Sequence, residues 1–290
     1  LAVAGMRRDI PRAPLSWAVG VSTSEGMKRF IPFLKSTPKV AVVRLSGVIG
    51  SGARAGISDE ALGPVIERAF RKGKPTAVAL VINSPGGSPV QSSLVAARIR
   101  RLADEKSLPV HAFVEDVAAS GGYWLACAAD DIWADAGSIL GSIGVISAGF
   151  GAHELLARQG VERRVYTAGR SKSMLDPFRP ENPEDVTRLK GLLGDLHQVF
   201  IDWVRGRRGA KIGDADLYTG EVWLGAKAAE LGLIDGIGQL EPKLKEIYGP
   251  KLRFIRHGRK RGFWPRLGVQ LAEDAVLALE ERAHWARFGL

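Results

Sequence analysis

The stretch PVHAFVEDVAASGGYWLACAA, residues 109–129, decides the fold. Its first part, as far as Asp116, is an apolar run typical of a buried strand. The residues after Ser120 are small enough to form a closely packed helix. A strand followed at once by a helix is the repeating unit of α/β proteins. If the same unit recurs elsewhere in the chain, the protein is built around a mainly parallel sheet.

The unit recurs upstream. The segments KVAVVRLSGVIG (39–50) and TAVALVIN (76–83) have the β-branched composition of buried strands. Apolar residues at helical spacing lie between them and predict a helix: Leu62, Val65, Ile66, Ala69 and Phe70. Residues 90–102 are predicted to form a second helix. Because strands that alternate with helices are joined by crossover connections, we expect a mainly parallel sheet.

The downstream half is less regular. The glycine spacing of DDIWADAGSILGSIGVIS (130–147) predicts short strands joined by sharp turns, and VERRVYTAG (161–169) is predicted to be another strand. A helix is predicted at 226–231, followed by a closing strand, and an amphipathic helix at 267–287. A long helix is predicted with one apolar face formed by Leu189, Leu192, Leu193, Leu196, Val199, Phe200 and Val204.

Composition and charge limit the function classes. The 290 residues include one cysteine, Cys127, which excludes an internal disulfide or a cysteine-based zinc site and is expected to be buried. The net charge of +10 comes from the two ends, with +5 in residues 1–39 and +5 in 251–290. The rest of the chain is neutral. We therefore expect arms that contact an anionic surface or a neighbouring subunit, and no nucleic-acid groove.

We predict three regions: a basic N-terminal arm at 1–38, a catalytic domain at 39–250, and a basic segment with a C-terminal amphipathic helix at 251–290. No apolar run approaches the ~20 residues of a membrane span, and no signal peptide is recognisable. The expected location is the cytoplasm, with peripheral contact at the inner membrane left open.

Ser120 is a candidate nucleophile. A serine needs a base to remove its proton and backbone N–H donors to stabilise the oxyanion that forms on attack. The N–H of Gly121 could be one donor. The NSPGG segment offers others, because Pro85 and Gly86 suit the centre of a type II turn that leaves the N–H groups of Gly86 and Gly87 free.

The base is harder to identify. No histidine lies in a glycine-rich or strand-end setting, and we expect structural roles for His111 in a strand and His197 in a helix. A buried lysine can also act as a base, because desolvation lowers its pKa. Lys172, followed by Met174 and other apolar residues, suits this best, although an exposed loop lysine is the ordinary reading of that stretch.

Three motifs together resemble one known family. VINSPGGSPVQSS, VEDVAASGGYWLACAADDIWADAGSILGSIGVI and YTAGRSKSMLDPF occur in an order and spacing similar to those of the SppA/SohB serine peptidases. The resemblance covers residues 39–240. It implies an α/β fold of the ClpP/crotonase-like type and a Ser-Lys dyad formed by Ser120 and Lys172. It also implies oxyanion donors at Gly87 and Gly121, and a serine, Ser142, that holds the lysine.

From this resemblance we expect a serine endopeptidase that cleaves extended apolar peptides without a metal or cofactor. One catalytic domain implies a ring-like homo-oligomer, because an enclosed chamber then requires several copies. Two alternatives stay open. A crotonase-type enzyme would use the same backbone donors on an acyl-CoA thioester, and a non-catalytic scaffold would use the basic ends alone.

Overall fold

Three consecutive strands form the centre of one sheet. The computed structural model describes residues 37–51, 56–169, 171–213, 215–258, 282–283 and 285–289. Strands β1 (Lys39–Ser46), β2 (Ala77–Ser84) and β3 (Val110–Ala119) are parallel neighbours. All but one residue of β2 are buried, because both faces of this strand are covered. The apolar runs of the sequence therefore correspond to the strands in the middle of the sheet.

Two helices return the chain between these strands. Helix α1 (Asp59–Arg71) begins at Ser58, whose hydroxyl accepts from the backbone N–H of Ala61. Helix α2 (Pro89–Lys106) follows the SPGG loop. The guanidinium of Arg98 on α2 contacts Asp59 and Glu67 on α1, at 2.7 and 2.8 Å. This ion-pair network fixes the two helices side by side over one face of the sheet.

Two short strands pair with the same edge of β3. Its first half pairs with β4 (Asp131–Ala134) and its second half with β5 (Ile139–Gly141). Helix α3 (Gly121–Ala126) follows β3 without an intervening loop. Among the described strands the path runs β6-β5-β3-β2-β1-β8, with β4 between β3 and β7. The ends of the sheet are β6 (Val222–Leu224), which is antiparallel to β5, β7 (Gly236–Ile237) and β8 (Arg253–His257).

Apolar cores lie on both faces of the sheet. The larger one packs α1, α2 and α3 against the strands and contains the fully buried Tyr123 and Cys127, as expected for the cysteine. The smaller one lies under helix α7 (Leu240–Tyr248), where Phe113 packs near Leu244. Tyr248 fixes the end of α7, because its hydroxyl lies 2.7 Å from Nε2 of His111.

The segment between β5 and β6 is largely exposed. It contains the short helix α4 (His153–Arg158) and the 26-residue helix α5 (Pro183–Arg208); helix α6 (Gly225–Glu230) follows β6. Of the predicted apolar face of α5, only Phe200 and Val204 are buried, while Leu192 is 58% exposed. The prediction of a long helix was right, and in this single chain its apolar face is only partly covered.

One predicted strand is absent. Residues 161–167 have no regular secondary structure and are mostly exposed, so the prediction of a strand at 161–169 was wrong. The composition suits a strand, but the segment VERRVYTAG carries three charges in its first four residues. Without a neighbouring strand in the described chain, its backbone has no ladder to join.

The predicted α/β fold class with a mainly parallel sheet is confirmed. The N-terminal arm lies outside the described residues except for 37 and 38. Most of the predicted helix at 267–287 lies outside them as well, although residues 282–283 and 285–286 are helical. Within the described part of the chain, no helix combines the length and hydropathy needed to cross a membrane.

Candidate active site

Ser120 lies at a sharp corner between β3 and α3. Its φ of 52° and ψ of −121° are rare for a residue with a side chain, and such strain is typical of functional positions. The backbone holds the corner: the N–H of Ser120 donates to Gly141 O at 2.8 Å, and its carbonyl accepts from Trp124 N at 3.0 Å. Its hydroxyl does not cap α3. The corner therefore presents, at the end of a central strand, a hydroxyl that no described residue hydrogen-bonds.

The SPGG loop packs directly against this corner. Gly86 has a φ of 104°, and a Cβ atom on it would lie 2.8 Å from Cβ of Ser120. Gly87 has a φ of 135°, and a Cβ there would lie 2.0 Å from Ile49 O. Both positions require glycine for conformation and for space. The two glycines allow the loop backbone to approach the serine.

Two backbone N–H groups lie beside Ser120. Neither Gly87 nor Gly121 donates its N–H to a backbone carbonyl of a described residue. The two lie close together, because a Cβ on Gly121 would lie 3.5 Å from the nitrogen of Gly87. Gly86 differs from the expectation: its N–H points to Ser84 Oγ at 3.3 Å and is not free.

A cleft of about 450 Å³ with both apolar and polar lining opens over the serine. Among its described lining residues, Arg287 is the only charged one. The lining combines apolar side chains with small polar groups: Val48, Ile49, Pro85, Gly87, Ser88, Pro89, Ser120, Gly121, Trp124, Ser142, Gly144, Val145, Ile146, Leu196, Phe200, Thr219, Gly220 and Arg287. Such a cleft suits an apolar ligand held by a few polar contacts.

Aromatic side chains form part of the cleft wall. Trp124 stacks on Phe200, with ring centroids 4.8 Å apart, and on Trp203 at 6.2 Å. Nε1 of Trp203 also donates to the carbonyl of Trp124 at 3.0 Å. Trp124 and Phe200 line the cleft, whereas Trp203 supports them from outside it. Through this stack, α5 is fixed to the helix that follows the serine.

Ser142 lies in the same cleft as Ser120. It too has a positive φ, 52°, and its N–H donates to Glu221 O at 2.6 Å. It follows Gly141, whose carbonyl accepts from the N–H of Ser120. The two serines are thus coupled through one residue of β5, and both face the cleft.

Lys172 lies elsewhere on the single chain. It is exposed, occupies the turn at residues 171–175, and does not line the cleft. No hydrogen bond joins its amine to Ser120 within the described residues. The turn itself is ordered: Asp176 accepts from the backbone N–H of Phe178 at 3.0 Å and from Arg163 at 3.3 Å. In the described part of one copy, Lys172 is therefore not among the residues that line the cleft with Ser120.

The described histidines do not supply a base for Ser120. His111 bonds Asp131 and Tyr248 on the opposite face of the sheet. His197 contacts the carbonyl of Ile143 at 3.0 Å. Neither lines the cleft, and the expected structural roles of both are confirmed.

Several residues of the cleft could not be selected from the sequence. Trp124 had a detectable signal, since it lies one helical turn after Ser120 on the same helix. Phe200 was recognised only as part of an apolar stripe. Thr219 and Arg287 carry no motif, and only the fold brings these distant positions to the serine.

Comparisons with known proteins identify one family. The profile of Peptidase family S49 matches residues 102–248. A candidate protease of Synechocystis sp. is 32% identical over 212 residues, which cover 72% of this chain and 74% of that protein. The chloroplastic serine protease SPPA of Arabidopsis thaliana is 32% identical over 203 residues, with 69% of this chain and 29% of that protein covered.

A third relative has a different name. The Na(+)/H(+) antiporter NhaA of Brucella abortus (strain 2308) is 46% identical over 286 residues, which cover 91% of this chain. The match takes in only 39% of the Brucella protein, so this chain spans about two fifths of it. The name of that protein describes a chain of which more than half has no counterpart here.

Proposed function

The chain belongs to Peptidase family S49, and we propose that it is a serine-type endopeptidase in which Ser120 and Lys172 form the dyad and which cleaves extended apolar peptides. The observation that carries the proposal is the conformation of Ser120. A strained serine whose hydroxyl no described residue hydrogen-bonds faces the cleft, beside the N–H groups of Gly87 and Gly121. Nucleophile and candidate oxyanion donors are thus adjacent.

The proposed reaction proceeds through an acyl-enzyme. The hydroxyl oxygen of Ser120 attacks the scissile carbonyl carbon, and the neutral amine of Lys172 takes the hydroxyl proton. The negative oxygen that forms is bound by the N–H groups of Gly87 and Gly121. The C–N bond then breaks as Lys172 returns the proton to the leaving amine. Water, deprotonated by the same lysine, hydrolyses the ester and restores Ser120.

The cleft suits an extended substrate. Val145 and Ile146 line it, and neither makes a backbone hydrogen bond to another described residue. Their free peptide groups can pair with a substrate strand, which is a common way of binding peptides without reading every side chain. The apolar walls favour apolar segments. Signal-peptide remnants and fragments of membrane or misfolded proteins have this composition.

Two copies of the chain are needed in this proposal. Lys172 is exposed in one copy, and a lysine base needs a buried amine, so Lys172 can act as a base only if another surface buries its amine near a serine. Lys172 lies in the segment between β5 and α5. This segment carries large exposed apolar side chains, including Ile146 at 68%, Phe150 at 93% and Tyr166 at 90%. We propose that this segment packs on a neighbouring copy in a ring-like homo-oligomer, and that Lys172 serves the neighbour's Ser120.

Mixing two inactive variants tests this arrangement. Ser120→Ala and Lys172→Ala proteins are each assayed alone, then dissociated, mixed in equal amounts and reassembled. If serine and lysine come from different copies, about a quarter of the sites in a random ring regain both groups. Activity near a quarter of the wild-type value supports the proposal. No recovery, with wild-type assembly confirmed by light scattering, contradicts a shared site.

A serine-directed probe separates the proposal from its alternatives. A fluorophosphonate should modify Ser120, located by mass spectrometry of the digested protein, and the Lys172→Ala variant should react far more slowly. A scaffold would not react. A crotonase-type enzyme would instead bind coenzyme A, which isothermal titration would detect.

We also propose that the basic ends contact an anionic membrane surface. The charge of +5 in residues 1–39 and of +5 in 251–290 supports this, because each basic residue near such a surface adds to the attraction. Co-sedimentation with phosphatidylglycerol vesicles should be strong at low salt and weak at high salt. Equal binding to neutral phosphatidylcholine vesicles would contradict the proposal.

A further inference from the structure

Strand β3 contains a bulge shortly before its end. The parallel pairing of β2 with β3 is regular as far as the pair Ile82–Val114. It resumes at the pair Ser84–Ala118. Between these pairs β2 has a single residue, Asn83, whereas β3 has three, so two residues of β3 are extra. Bulges of this kind often lie next to active sites, where they change the position and direction of a side chain.

The bulge sets how far Ser120 lies from the SPGG loop. Each residue of a strand advances about 3.3 Å, so without the bulge the two extra residues would carry Ser120 about 7 Å farther along the sheet. The bulge is also where β3 changes partner, since it pairs with β4 up to Val114 and with β5 from Val117 onward. The N–H of Ser120 then donates to Gly141 O of β5. The corner therefore depends on the bulge for its position and for its backbone support.

The side chain of Asn83 holds the bulge on the β2 side. Its Oδ1 accepts from the backbone N–H of Val117 at 3.3 Å, and its Nδ2 donates to the carboxylate of Asp116 at 2.5 Å. The backbone of Asn83 is itself fixed, because its carbonyl accepts from the N–H of Gly47 at 3.0 Å. The amide of Asn83 thus takes the place of the backbone ladder that the bulge interrupts.

Ser138 holds the bulge on the other side. It is 2% exposed and directly precedes β5. Its hydroxyl donates to the carbonyl of Glu115, lies 3.4 Å from that of Val114, and accepts from the N–H of Asp135 at 3.0 Å. Without this hydroxyl, backbone groups next to the bulge would lose their partner. Two side chains from opposite sides of β3 therefore fix the same bulge.

We propose that Asn83 and Ser138 are positioning residues of the peptidase reaction: they hold the β3 bulge, and the bulge places Ser120 beside the oxyanion donors. The inference rests on the proposed peptidase function. Neither Asn83 nor Ser138 lines the cleft, so neither contacts the substrate. Their loss should therefore lower kcat and leave KM unchanged, because a nucleophile misplaced by about 1 Å slows the chemical step by up to about 100-fold while the cleft walls stay intact.

An exchange of donor and acceptor tests the role of Asn83. Asn83→Asp places a second carboxylate against that of Asp116, and their repulsion should open the bulge and lower kcat about 10-fold with little change in KM. The double variant Asn83→Asp/Asp116→Asn restores one donor and one acceptor, and its kcat should return to within about 2-fold of wild type. An unchanged kcat in Asn83→Asp overturns the proposal. A double variant no more active than the single one overturns it as well.

Ser138→Ala tests the other side of the bulge. It should lower kcat about 10-fold and leave KM unchanged, as in Asn83→Asp. The control is Tyr248→Phe, which removes a hydroxyl that contacts His111 on the same strand but on the opposite face of the sheet. This control should lose stability and keep kcat. An equal loss of kcat in Ser138→Ala and Tyr248→Phe would reflect general destabilisation and overturn the positioning role.

Hydrogen exchange separates this inference from the proposed function, because it needs no activity. The N–H of Ser120 is bonded to Gly141 O, and mass spectrometry of fragments that contain Ser120 follows its exchange. Exchange should be about 10-fold faster in Asn83→Asp and in Ser138→Ala than in wild type, and should recover in Asn83→Asp/Asp116→Asn. Unchanged exchange in both single variants overturns the positioning role. A wild-type protein that cleaves no peptide contradicts only the peptidase proposal.

Discussion

Gly86 and Ser120 are in such close contact that a Cβ atom on the glycine would lie 2.8 Å from the Cβ of the serine. The same atom would lie 3.0 Å from the nitrogen of Gly121. Gly86 is thus the residue of the SPGG loop that contacts the corner at Ser120. The same loop carries the candidate oxyanion donor Gly87. The missing side chain of Gly86 sets the distance between the loop and the corner.

Gly86→Ala should therefore damage activity more than stability. The added methyl group pushes the loop away from Ser120 and misplaces the Gly87 N–H, and the loss of one such donor lowers kcat by about 10²-fold. The positive φ adds a strain of about 1–2 kcal/mol, so we expect a folded protein. Steady-state kinetics and urea unfolding measure the two effects.

Gly191→Ala is the matched control for that substitution. Gly191 lies in α5, and a Cβ there would meet no atom within 4 Å. It should leave kcat unchanged and raise the free energy of unfolding by about 0.5–1 kcal/mol. If Gly86→Ala behaves in the same way, the loop does not position the site.

Phe200→Leu should weaken substrate binding. Phe200 lines the cleft and stacks on Trp124, so a smaller, flexible side chain removes apolar contact with the substrate. We expect KM to rise about 5-fold for an apolar peptide with little change in kcat, because the contact is made in the ground state and the transition state alike. Trp203→Leu, which alters the same stack outside the cleft, should cost stability but leave KM unchanged. An equal rise in both variants would place the effect on folding.

Tyr248→Phe should change stability alone. Burial, together with the negative charge of Asp131, raises the pKa of Tyr248 to about 12, so the phenol keeps its proton and donates to Nε2 of His111. Without the hydroxyl, a buried nitrogen lacks its partner, at a cost of about 1–2 kcal/mol. Chemical denaturation should detect this loss, whereas the exposed Tyr166→Phe should be neutral. A loss of kcat in Tyr248→Phe would contradict the separation of this cluster from the site.

The sequence predicted the site best where its functional residues lie close together along the chain. Ser120 and Gly121 could be chosen because a strand end, a serine and two glycines lie within a few residues. The central strands were predictable for the same reason, since a run of Val, Ile and Ala is stable only with both faces buried. The strain at Ser120 could not be read from the sequence, because it depends on the hydrogen bond from its N–H to Gly141.

The sequence does not show which surfaces are covered by other elements of the fold. The periodicity of α5 correctly predicts an apolar stripe, but it does not say that only Phe200 and Val204 of that stripe are buried in one copy. VERRVYTAG has strand-like residues and no neighbour to pair with. Arg287 lines the cleft although it is far from Ser120 in the sequence, so only folding brings the two residues to the same cleft. Pattern identifies the face of an element, while its partner depends on tertiary and quaternary structure.

Asp235 should make the protein sensitive to acid. Burial raises the pKa of this carboxyl, but the ammonium of Lys211, the backbone N–H of Ile132 and the guanidinium of Arg208 together outweigh burial and hold the pKa below its usual range. A carboxyl with a lowered folded pKa stabilises the protein above its unfolded pKa of about 3.9. That stabilisation is lost as the pH falls through the lower folded value. Arg208 itself is 3% exposed, and its Nε has no partner within the described chain.

Asp235→Asn should therefore lower the free energy of unfolding at pH 7 by about 3 kcal/mol, because Arg208 is then buried without a counter-charge. Urea unfolding from pH 7 to pH 2.5 should show a steeper acid loss in the wild type than in the variant, since the variant has no carboxyl to protonate. Glu230→Gln, which removes an exposed carboxylate paired with Lys227, should change stability by less than about 0.5 kcal/mol at any pH. Parallel curves for wild type and Asp235→Asn would mean that this ion pair does not govern acid stability. The Arg208–Asp235 ion pair also joins α5 to the loop before β7. Its loss at low pH should therefore loosen the helix that carries Phe200 and raise the KM for substrate.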